Sequence, residues 1–345
     1  MFDLADHPAM VDGRPVALAD GIAAAASLLA AAACPLIAGL RTDDAGARAA
    51  ATLARRLGAV LDHAESDTAL RDLDAMRRGG WIVATPAIVR ANADCVLLVG
   101  DIPPALRAWL TLDRPPPFGA APRRVVTLAA AADVTAQLGR LRAAAKRRGG
   151  ALPADLADLL AALQAARYGA IVWSAAALSG RAVEMLCGLI EDLNASTRCA
   201  GLPLPQPGNA AGVAQALAAA TGFPFRLAFR DGIARHDPWR YDAARMAGSG
   251  EADAALWLDA LGEGPPAWAA RVRLVALAPP GARFAAAPAV ALAVGRPGLD
   301  HAAALVHPLA ATLLAVVPET PAATPSAADL LGRIADHLQA GALPC

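Results

Sequence analysis

Closely spaced soft metal ligands are missing from this sequence of 345 residues. It contains no C-x-x-C pair, and no cysteine lies at ligand spacing from a histidine. Structural zinc and iron–sulfur sites draw several such ligands from close-spaced pairs. The five cysteines are instead scattered, at Cys34, Cys95, Cys187, Cys199 and Cys345. The sequence therefore predicts no metal site and no cofactor.

An excess of charge of either sign is also missing, because 31 basic residues balance 31 acidic ones. Such a balance gives no electrostatic attraction for nucleic acid or for an anionic membrane surface. Aromatic residues make up only 4% of the chain, although 56% is hydrophobic and much of that is alanine. Alanine buries little apolar area per residue. The composition predicts closely packed helices and no nucleic-acid partner.

No run of strongly apolar residues reaches the roughly 20 that a membrane-spanning helix needs. The most apolar stretch, Gly21 to Leu36, is mostly alanine, follows Asp20 and has Pro35 near its end. The N-terminal residues MFDLADHPAMVDGR are acidic and polar, unlike the start of a secretory signal peptide. We therefore expect a cytoplasmic protein without a membrane span.

Phosphate-binding and nucleophile motifs do not occur. The chain has no G-x-G-x-x-G after a strand, no G-x-x-x-x-G-K-[ST] and no G-x-S-x-G. Gly100 and Asp101 follow an apolar run, where ligand-contacting loops of open sheets lie, but an ordinary strand exit has the same residues. His301 and His307 could hold a metal only with ligands from elsewhere, and a solvated or packed pair is the simpler interpretation.

One short segment combines groups for acid–base chemistry. Asp62, His63 and Glu65 come where a predicted strand ends, so a carboxylate and an imidazole could share a crevice there. Acidic residues in such loops also cap helices. Both interpretations stay open from the sequence.

Short apolar runs alternate with helical patterns along the chain. The runs show little in/out alternation, which is typical of parallel strands covered on both faces. Alternation of strand and helix predicts a doubly wound α/β architecture. The predicted strands are Pro35–Gly39, Gly58–Asp62, Trp81–Ala84, Cys95–Gly100, Arg124–Leu128, Ala170–Ser174, Ala254–Leu258 and Val272–Leu277.

Cap residues predict where three of the helices begin and end. Asp43 or Asp44 is expected to cap Ala45–Leu57, Ser66 to cap Asp67–Arg78, and Asn209 to cap Ala210–Thr221. Gly58 and Gly222 are the predicted stop signals of the first and the last of these helices.

Three segments together resemble the B subunit of formylmethanofuran dehydrogenases, a branch of the molybdenum/tungsten-pterin oxidoreductases. They begin PLIAGLRTDDAG, WIVATPAIVRAN and NAAGVAQALAAA, and they span Pro35–Asp67, Trp81–Pro103 and Asn209–Ala260. The resemblance extends from about Val11 to about Pro318. It rests on the order and spacing of the whole set, since no single motif is very specific.

The departures from this family concern its chemistry. Active members have an N-terminal four-cysteine segment for a [4Fe–4S] cluster, and this chain starts after that segment would end. They also have a cysteine metal ligand at the start of the helix that follows the PLIAG-like strand, where Ala45 is the best match. The pterin loop matches Val125–Ala130, and a Glu–Gly–Tyr–Arg segment matches Gly298–Pro308, both without the family's binding groups. The resemblance therefore implies a retained fold without catalytic, cofactor-binding or metal-binding residues.

The resemblance also implies how the chain divides into domains and which enzyme complex it belongs to. It implies two Rossmann-like parallel-sheet domains, as in domains II and III of molybdopterin oxidoreductases. Residues 94–208 would form a domain inserted in a discontinuous one made of residues 1–93 and 209–345. A similarly degenerate B subunit belongs to the formyltransferase/hydrolase complex of methylotrophic bacteria. That complex converts formyl-tetrahydromethanopterin to formate through a methanofuran-type carrier.

Partners follow from the same resemblance. A D-type subunit would transfer the formyl group, a zinc amidohydrolase-like A-type subunit would hydrolyse it, and a C-type subunit would complete the assembly. The low share of charged residues, 18%, suits a chain with apolar contact surfaces. Two alternatives stay open. One is an active dehydrogenase subunit whose metal ligands come from elsewhere, and the other is an independent small-molecule-binding enzyme that uses Asp62, His63 and Glu65.

Overall fold

The computed structural model describes residues 2–4, 7–110, 122–131, 133–262 and 264–340, so Cys345 lies outside the described residues. The strands are β1 (Phe2–Asp3), β2 (Ala9–Val11), β3 (Arg14–Val16), β4 (Pro35–Arg41), β5 (Val60–His63), β6 (Cys95–Val99), β7 (Arg124–Leu128), β8 (Gly169–Trp173), β9 (Cys199–Pro203), β10 (Leu227–Arg230), β11 (Ile233–His236), β12 (Ala254–Asp259), β13 (Arg273–Ala278), β14 (Arg283–Phe284), β15 (Val290–Ala293), β16 (Ala303–His307) and β17 (Thr312–Val316).

The helices alternate with these strands through most of the chain. They are α1 (Leu18–Ala30), α2 (Asp44–Leu57), α3 (Ser66–Arg78), α4 (Pro86–Asn92), α5 (Pro104–Leu110), α6 (Val134–Ala145), α7 (Ala154–Ala165), α8 (Gly180–Leu193), α9 (Ala210–Thr221), α10 (Ala243–Ser249) and α11 (Ala327–Ala340). No helix in the part of the chain that the structure describes is long and apolar enough to cross a membrane.

Contacts divide the chain into two compact units. The first unit comprises Met1–Ser66, Gln206–Val306 and Leu313–Cys345, and the second comprises Asp67–Pro205 and His307–Thr312. The second unit therefore interrupts the first in sequence. The boundaries at 93/94 and 208/209 that the sequence resemblance implies stay a prediction.

The first unit is built on a nine-stranded mixed sheet in the order β11-β10-β5-β4-β12-β13-β15-β2-β3. The five central strands, β5 to β15 in this order, run parallel, and antiparallel strands extend the sheet at both edges. Every residue of β4 and β12 is buried. These two strands carry no in/out alternation because both of their faces are covered.

The second unit is built on a four-stranded parallel sheet in the order β7-β6-β8-β9. Alternate residues of β6 belong to two apolar clusters, with Leu97 in one and Leu98 in the other. The first cluster includes residues of α6, α7 and α8, and the second includes residues of α4 and α5. Helices therefore cover both faces of this sheet, and the predicted α/β class is confirmed.

Three local predictions are wrong. Ser66 is the first residue of α3 rather than the cap before it, and its Oγ accepts from the His63 N–H at 3.1 Å. Trp81–Ala84 is not a strand, since only Val83 makes an isolated bridge and both Ile82 and Val83 are exposed. Helix α9 begins where predicted, but the Asn209 side chain does not cap it. Asn209 has φ +58°, and its amide instead donates to the Thr42 carbonyl at 2.9 Å and accepts from the Val306 N–H at 3.0 Å. These non-local bonds outweigh the local cap.

Candidate functional site

Polar residues gather where the central parallel strands of the nine-stranded sheet end. Arg41 ends β4, His63 ends β5 with Glu65 just beyond it, and Asp259 ends β12. The carboxyl ends of parallel strands lie at one edge of a sheet, and ligands of open α/β sheets bind at that edge. Any ligand site of this unit is therefore expected at this edge.

A bulge in β4 aligns two of these residues. Ala38 pairs with Trp257 and Arg41 pairs with Asp259, so Gly39 and Leu40 together oppose a single residue of β12. Gly39 has φ +84°, and a Cβ there would lie 2.6 Å from the Leu258 carbonyl oxygen. Bulges of this kind redirect side chains. The extra residue brings Arg41 into register with Asp259.

Arg41 is the cation of a buried charged cluster. Its Nη2 lies 2.9 Å from Glu65 Oε1, and its Nη1 lies 3.7 Å from Asp259 Oδ2. Asp259 is fully buried, and its carboxylate also accepts hydrogen bonds from the Gly262 and Gly264 N–H groups at 2.8 and 2.5 Å. Buried charges need such pairing to avoid the cost of desolvation. The chain's own groups therefore pair the charges of this cluster.

His63 uses both ring nitrogens within the fold. Its Nδ1 accepts from the Glu65 backbone N–H at 3.0 Å, so its Nε2 carries the proton and donates to the Gly208 carbonyl at 3.2 Å. Burial lowers the pKa of His63 to about 4, against the hydrogen bond to Gly208, which favours the protonated ring. The imidazole is therefore neutral and has no free lone pair for a substrate proton.

Asp62 belongs to a different group of contacts. It accepts from the Ala243 N–H at 2.9 Å and lies 3.5 Å from Arg226 Nε, while neighbouring His63 contacts Gly208. Burial raises the pKa of Asp62 to about 7, although the Arg226 charge opposes this. Successive strand residues point to opposite faces. The structure therefore does not bring Asp62, His63 and Glu65 together around one point.

Comparison with known proteins identifies the family of the chain. The assignment comes from a similar individual protein, since no model of a protein family matches the chain. The B subunit of the formyltransferase/hydrolase complex Fhc from Methylorubrum extorquens is 36% identical over 363 aligned positions, covering 98% of this chain and 99% of the relative. The chain belongs to this B-subunit family.

A solved structure supports the same assignment. The X-ray crystal structure of the formyltransferase/hydrolase complex FhcABCD from Methylorubrum extorquens, in complex with methylofuran, contains a similar chain. The TM-score is 0.88 at 36% identity, and the match covers 96% of this chain and 99% of that chain. The family and the fold class that the sequence resemblance implies are confirmed.

In this B-family chain, Ala45 is an exposed residue in the first turn of α2. The helix is capped by Asp43, whose Oδ1 accepts from the Gly46 N–H at 2.9 Å. A methyl group offers no electron pair to a metal. Among the described residues, no group of three or more His, Cys, Asp or Glu side chains could hold a metal ion.

The other sequence candidates have local roles. Gly100 has φ +79°, and a Cβ there would lie 3.1 Å from the Ser174 carbonyl oxygen, so it makes a tight strand exit. His301 Nδ1 donates to the Ala302 carbonyl at 3.0 Å. His307 Nδ1 accepts from the Leu309 and Ala310 N–H groups. Each of these two histidines therefore forms hydrogen bonds with the backbone of the turn in which it lies.

Sequence reasoning missed Arg41 and Asp259 as members of the charged cluster. Each is the polar residue that ends an apolar run, PLIAGL before Arg41 and AALWL before Asp259. That pattern was the available signal, because parallel strands place such residues at a common edge. Recognising the pair also required the strand order, which short motifs do not contain.

The neutral state of His63 predicts a pH-dependent stability difference. Its folded pKa of about 4 is below the ordinary value of 6.5, so the unfolded chain takes up a proton first as pH falls. The free energy of unfolding of wild type should therefore exceed that of a His63→Asn variant by the largest amount near pH 7. This difference should shrink by about 3 kcal/mol between pH 6.5 and pH 4. Urea unfolding at several pH values measures this.

His337→Asn is the matched control, because His337 is an exposed histidine of α11. A difference between wild type and His63→Asn that stays constant with pH would contradict the neutral, doubly hydrogen-bonded ring.

Proposed function

We propose that this chain is a non-catalytic subunit of a formyltransferase/hydrolase complex, which it forms with A-, C- and D-type subunits. In one-carbon metabolism this complex would convert formyl-tetrahydromethanopterin to formate through a methanofuran-type carrier. The observation that carries the proposal is the 36% identity to the Fhc B subunit along nearly the full length of both chains. Because the similarity covers the whole length of both chains, it favours retention of the relative's role in its assembly. Reuse of a single domain in another protein would leave only part of the chain similar.

The geometry at the strand ends supports a structural role for this subunit. Arg41 pairs with both Glu65 and Asp259, and both ring nitrogens of His63 are engaged. A general base needs a free electron pair within hydrogen-bonding distance of a substrate proton. We infer that transfer and hydrolysis take place on the D-type and A-type subunits, and that this subunit holds them together.

Co-expression of the tagged chain with the three other subunits tests the assembly. We expect all four to co-purify in fixed proportion, without stoichiometric molybdenum, tungsten or cluster iron assigned to this chain. Soft metals are held by soft ligands, and Ala45 stands where the family's active members have a cysteine. Recovery of the chain alone, or of tungsten bound to it, would contradict the proposal.

A carboxylate substitution tests the non-catalytic role separately. Glu65→Gln keeps an oxygen that can accept from Arg41 while it removes the acid–base group. We expect turnover per assembled complex to stay within about twofold of wild type, because the chemistry takes place on other subunits. Loss of a general acid or base costs about 10²–10⁴-fold in rate. A fall of that size in the purified, intact complex would assign catalysis to this subunit.

A further inference from the structure

Trp239 is a large apolar side chain that the fold leaves in solvent. It is 73% exposed, whereas core aromatic residues such as Phe225 and Phe229 are 1% exposed. It lies in the loop that follows β11, and β11 is an edge strand of the nine-stranded sheet. Its indole therefore contributes little to the core of its own unit.

Hydrogen bonds and a cation–π contact nevertheless hold the loop around Trp239 in place. Asp237 Oδ1 accepts from the backbone N–H groups of Trp239 and Arg240 at 3.0 and 2.8 Å. The Arg245 guanidinium lies 4.8 Å from the centre of the indole, and its Nε donates to the Trp239 carbonyl at 3.2 Å. Glu251 fixes Arg245 by two hydrogen bonds of 2.8 and 2.9 Å.

The same loop is tied to the interior of the unit. Buried Arg226 donates to the Pro238 carbonyl and pairs with Asp242. Asp242 in turn caps α10 by accepting from the Arg245 N–H at 2.6 Å. The exposed indole is thus presented in one orientation. A side chain that is already ordered loses little conformational entropy when it binds a partner.

Charge around the indole indicates the chemistry of that partner. Arg235 and Arg240 are exposed on either side of Trp239 in the sequence, and the Arg240 guanidinium lies 5.9 Å from the centre of the neighbouring Tyr241 ring. Tryptophan and arginine are the residues most enriched where protein interfaces gain their affinity. Solvent-exposed guanidinium groups favour a partner surface with carboxylates opposite them.

We propose that Trp239 and Arg240 anchor this chain to another subunit of its complex. That subunit's surface would offer an apolar pocket for the indole and carboxylates facing the guanidinium. This inference rests on the proposed function and adds to it the surface through which the chain assembles. Arg245 acts as a positioning residue that holds the indole in place.

Binding measurements on the full chain test the anchor. We compare the affinity of wild type, Trp239→Ala and Arg240→Glu for the co-purified remaining subunits, by biolayer interferometry. We expect Trp239→Ala to weaken binding by about 30-fold, as for other tryptophan anchors. Arg240→Glu should weaken it and slow association, because reversed charge repels an acidic surface. The thermal midpoint of each variant should stay near that of wild type, since both side chains are exposed.

Two control variants match these changes elsewhere on the surface. Val317→Ala removes an apolar side chain that is 74% exposed, and Arg181→Glu reverses an exposed charge on α8. Both should bind like wild type. Normal binding by Trp239→Ala would overturn the anchor while leaving the proposed function intact. If wild type does not bind the other subunits, the proposed function fails and the anchor with it. If sedimentation shows that Trp239→Ala abolishes self-association instead, the occupant is a second copy and the proposal is overturned.

Discussion

Replacing Arg41 with methionine is expected to lower the free energy of unfolding by about 3–5 kcal/mol, because removal of one partner leaves buried charge uncompensated. Methionine keeps the aliphatic stem that packs against Gly208, where a Cβ would lie 2.5 Å from Arg41 Cγ. The variant therefore tests the charge rather than the packing. Asp259, which is fully buried, would keep its two backbone donors but lose its cation.

Urea unfolding of the purified chain, followed by far-UV circular dichroism, measures the loss. Arg48→Met is the matched control, because Arg48 is half exposed and pairs with Asp44 one helical turn away. Exposed pairs of that kind contribute little to stability, because solvent and salt screen them. An Arg41→Met/Asp259→Asn double variant should lose less than the sum of the single changes, since the two groups are coupled. A loss below about 1 kcal/mol for Arg41→Met would show that the cluster is not needed for stability.

Trp173→Ala is expected to cost about 3–5 kcal/mol, the range for removal of a buried aromatic side chain. Trp173 is fully buried at the end of β8, and its ring packs edge-on against Trp81 with centroids 5.3 Å apart. Its Nε1 donates to Asp72 Oδ1 at 2.8 Å. The substitution therefore creates a cavity and removes a hydrogen bond in a single step. Thermal unfolding and hydrogen exchange of the β8 amides would measure the effect.

Trp173→Phe separates the hydrogen bond from the cavity. Burial raises the pKa of Asp72 to about 6, and the Trp173 hydrogen bond opposes this rise. Without the indole N–H, the folded pKa of Asp72 should rise further. A folded pKa above the unfolded value makes stability fall as pH rises toward the folded pKa. The stability gap between wild type and Trp173→Phe should therefore widen above pH 6. A gap that is the same at pH 5 and pH 8 would show that only packing was lost.

The local sequence determined most of the central elements. The run from Cys95 is a strand as predicted, and α9 spans Ala210–Thr221 with Gly222 in the left-handed conformation at its end. Continuous apolar runs and glycine stop signals act over a few residues, so the sequence displays them directly. Strand–helix alternation then fixed the α/β class.

Two strand assignments depended on contacts that the local sequence does not show. Trp81–Ala84 has the composition of a strand, but no neighbouring strand pairs along it. Cys199–Pro203 lacks β-branched residues and is a strand because it pairs with β8. Position 201 in this strand has room only for glycine, because a Cβ there would lie 2.6 Å from Ile190 Cδ1 and 2.7 Å from Trp81 Cδ1. Pairing across the sheet overrode local propensity in both places.

The sequence by itself determined that acidic and imidazole groups stand at the end of β5, and that the chain lacks paired soft ligands. Only the tertiary structure decided what those groups contact. A one-residue bulge at Gly39 brings Arg41 opposite Asp259, while Asp62 lies beside Arg226, the residue just before β10. Neighbouring residues of a strand point to opposite faces, and their partners come from segments distant in sequence. For that reason a promising acid–base motif is, in the folded chain, part of two separate structural networks.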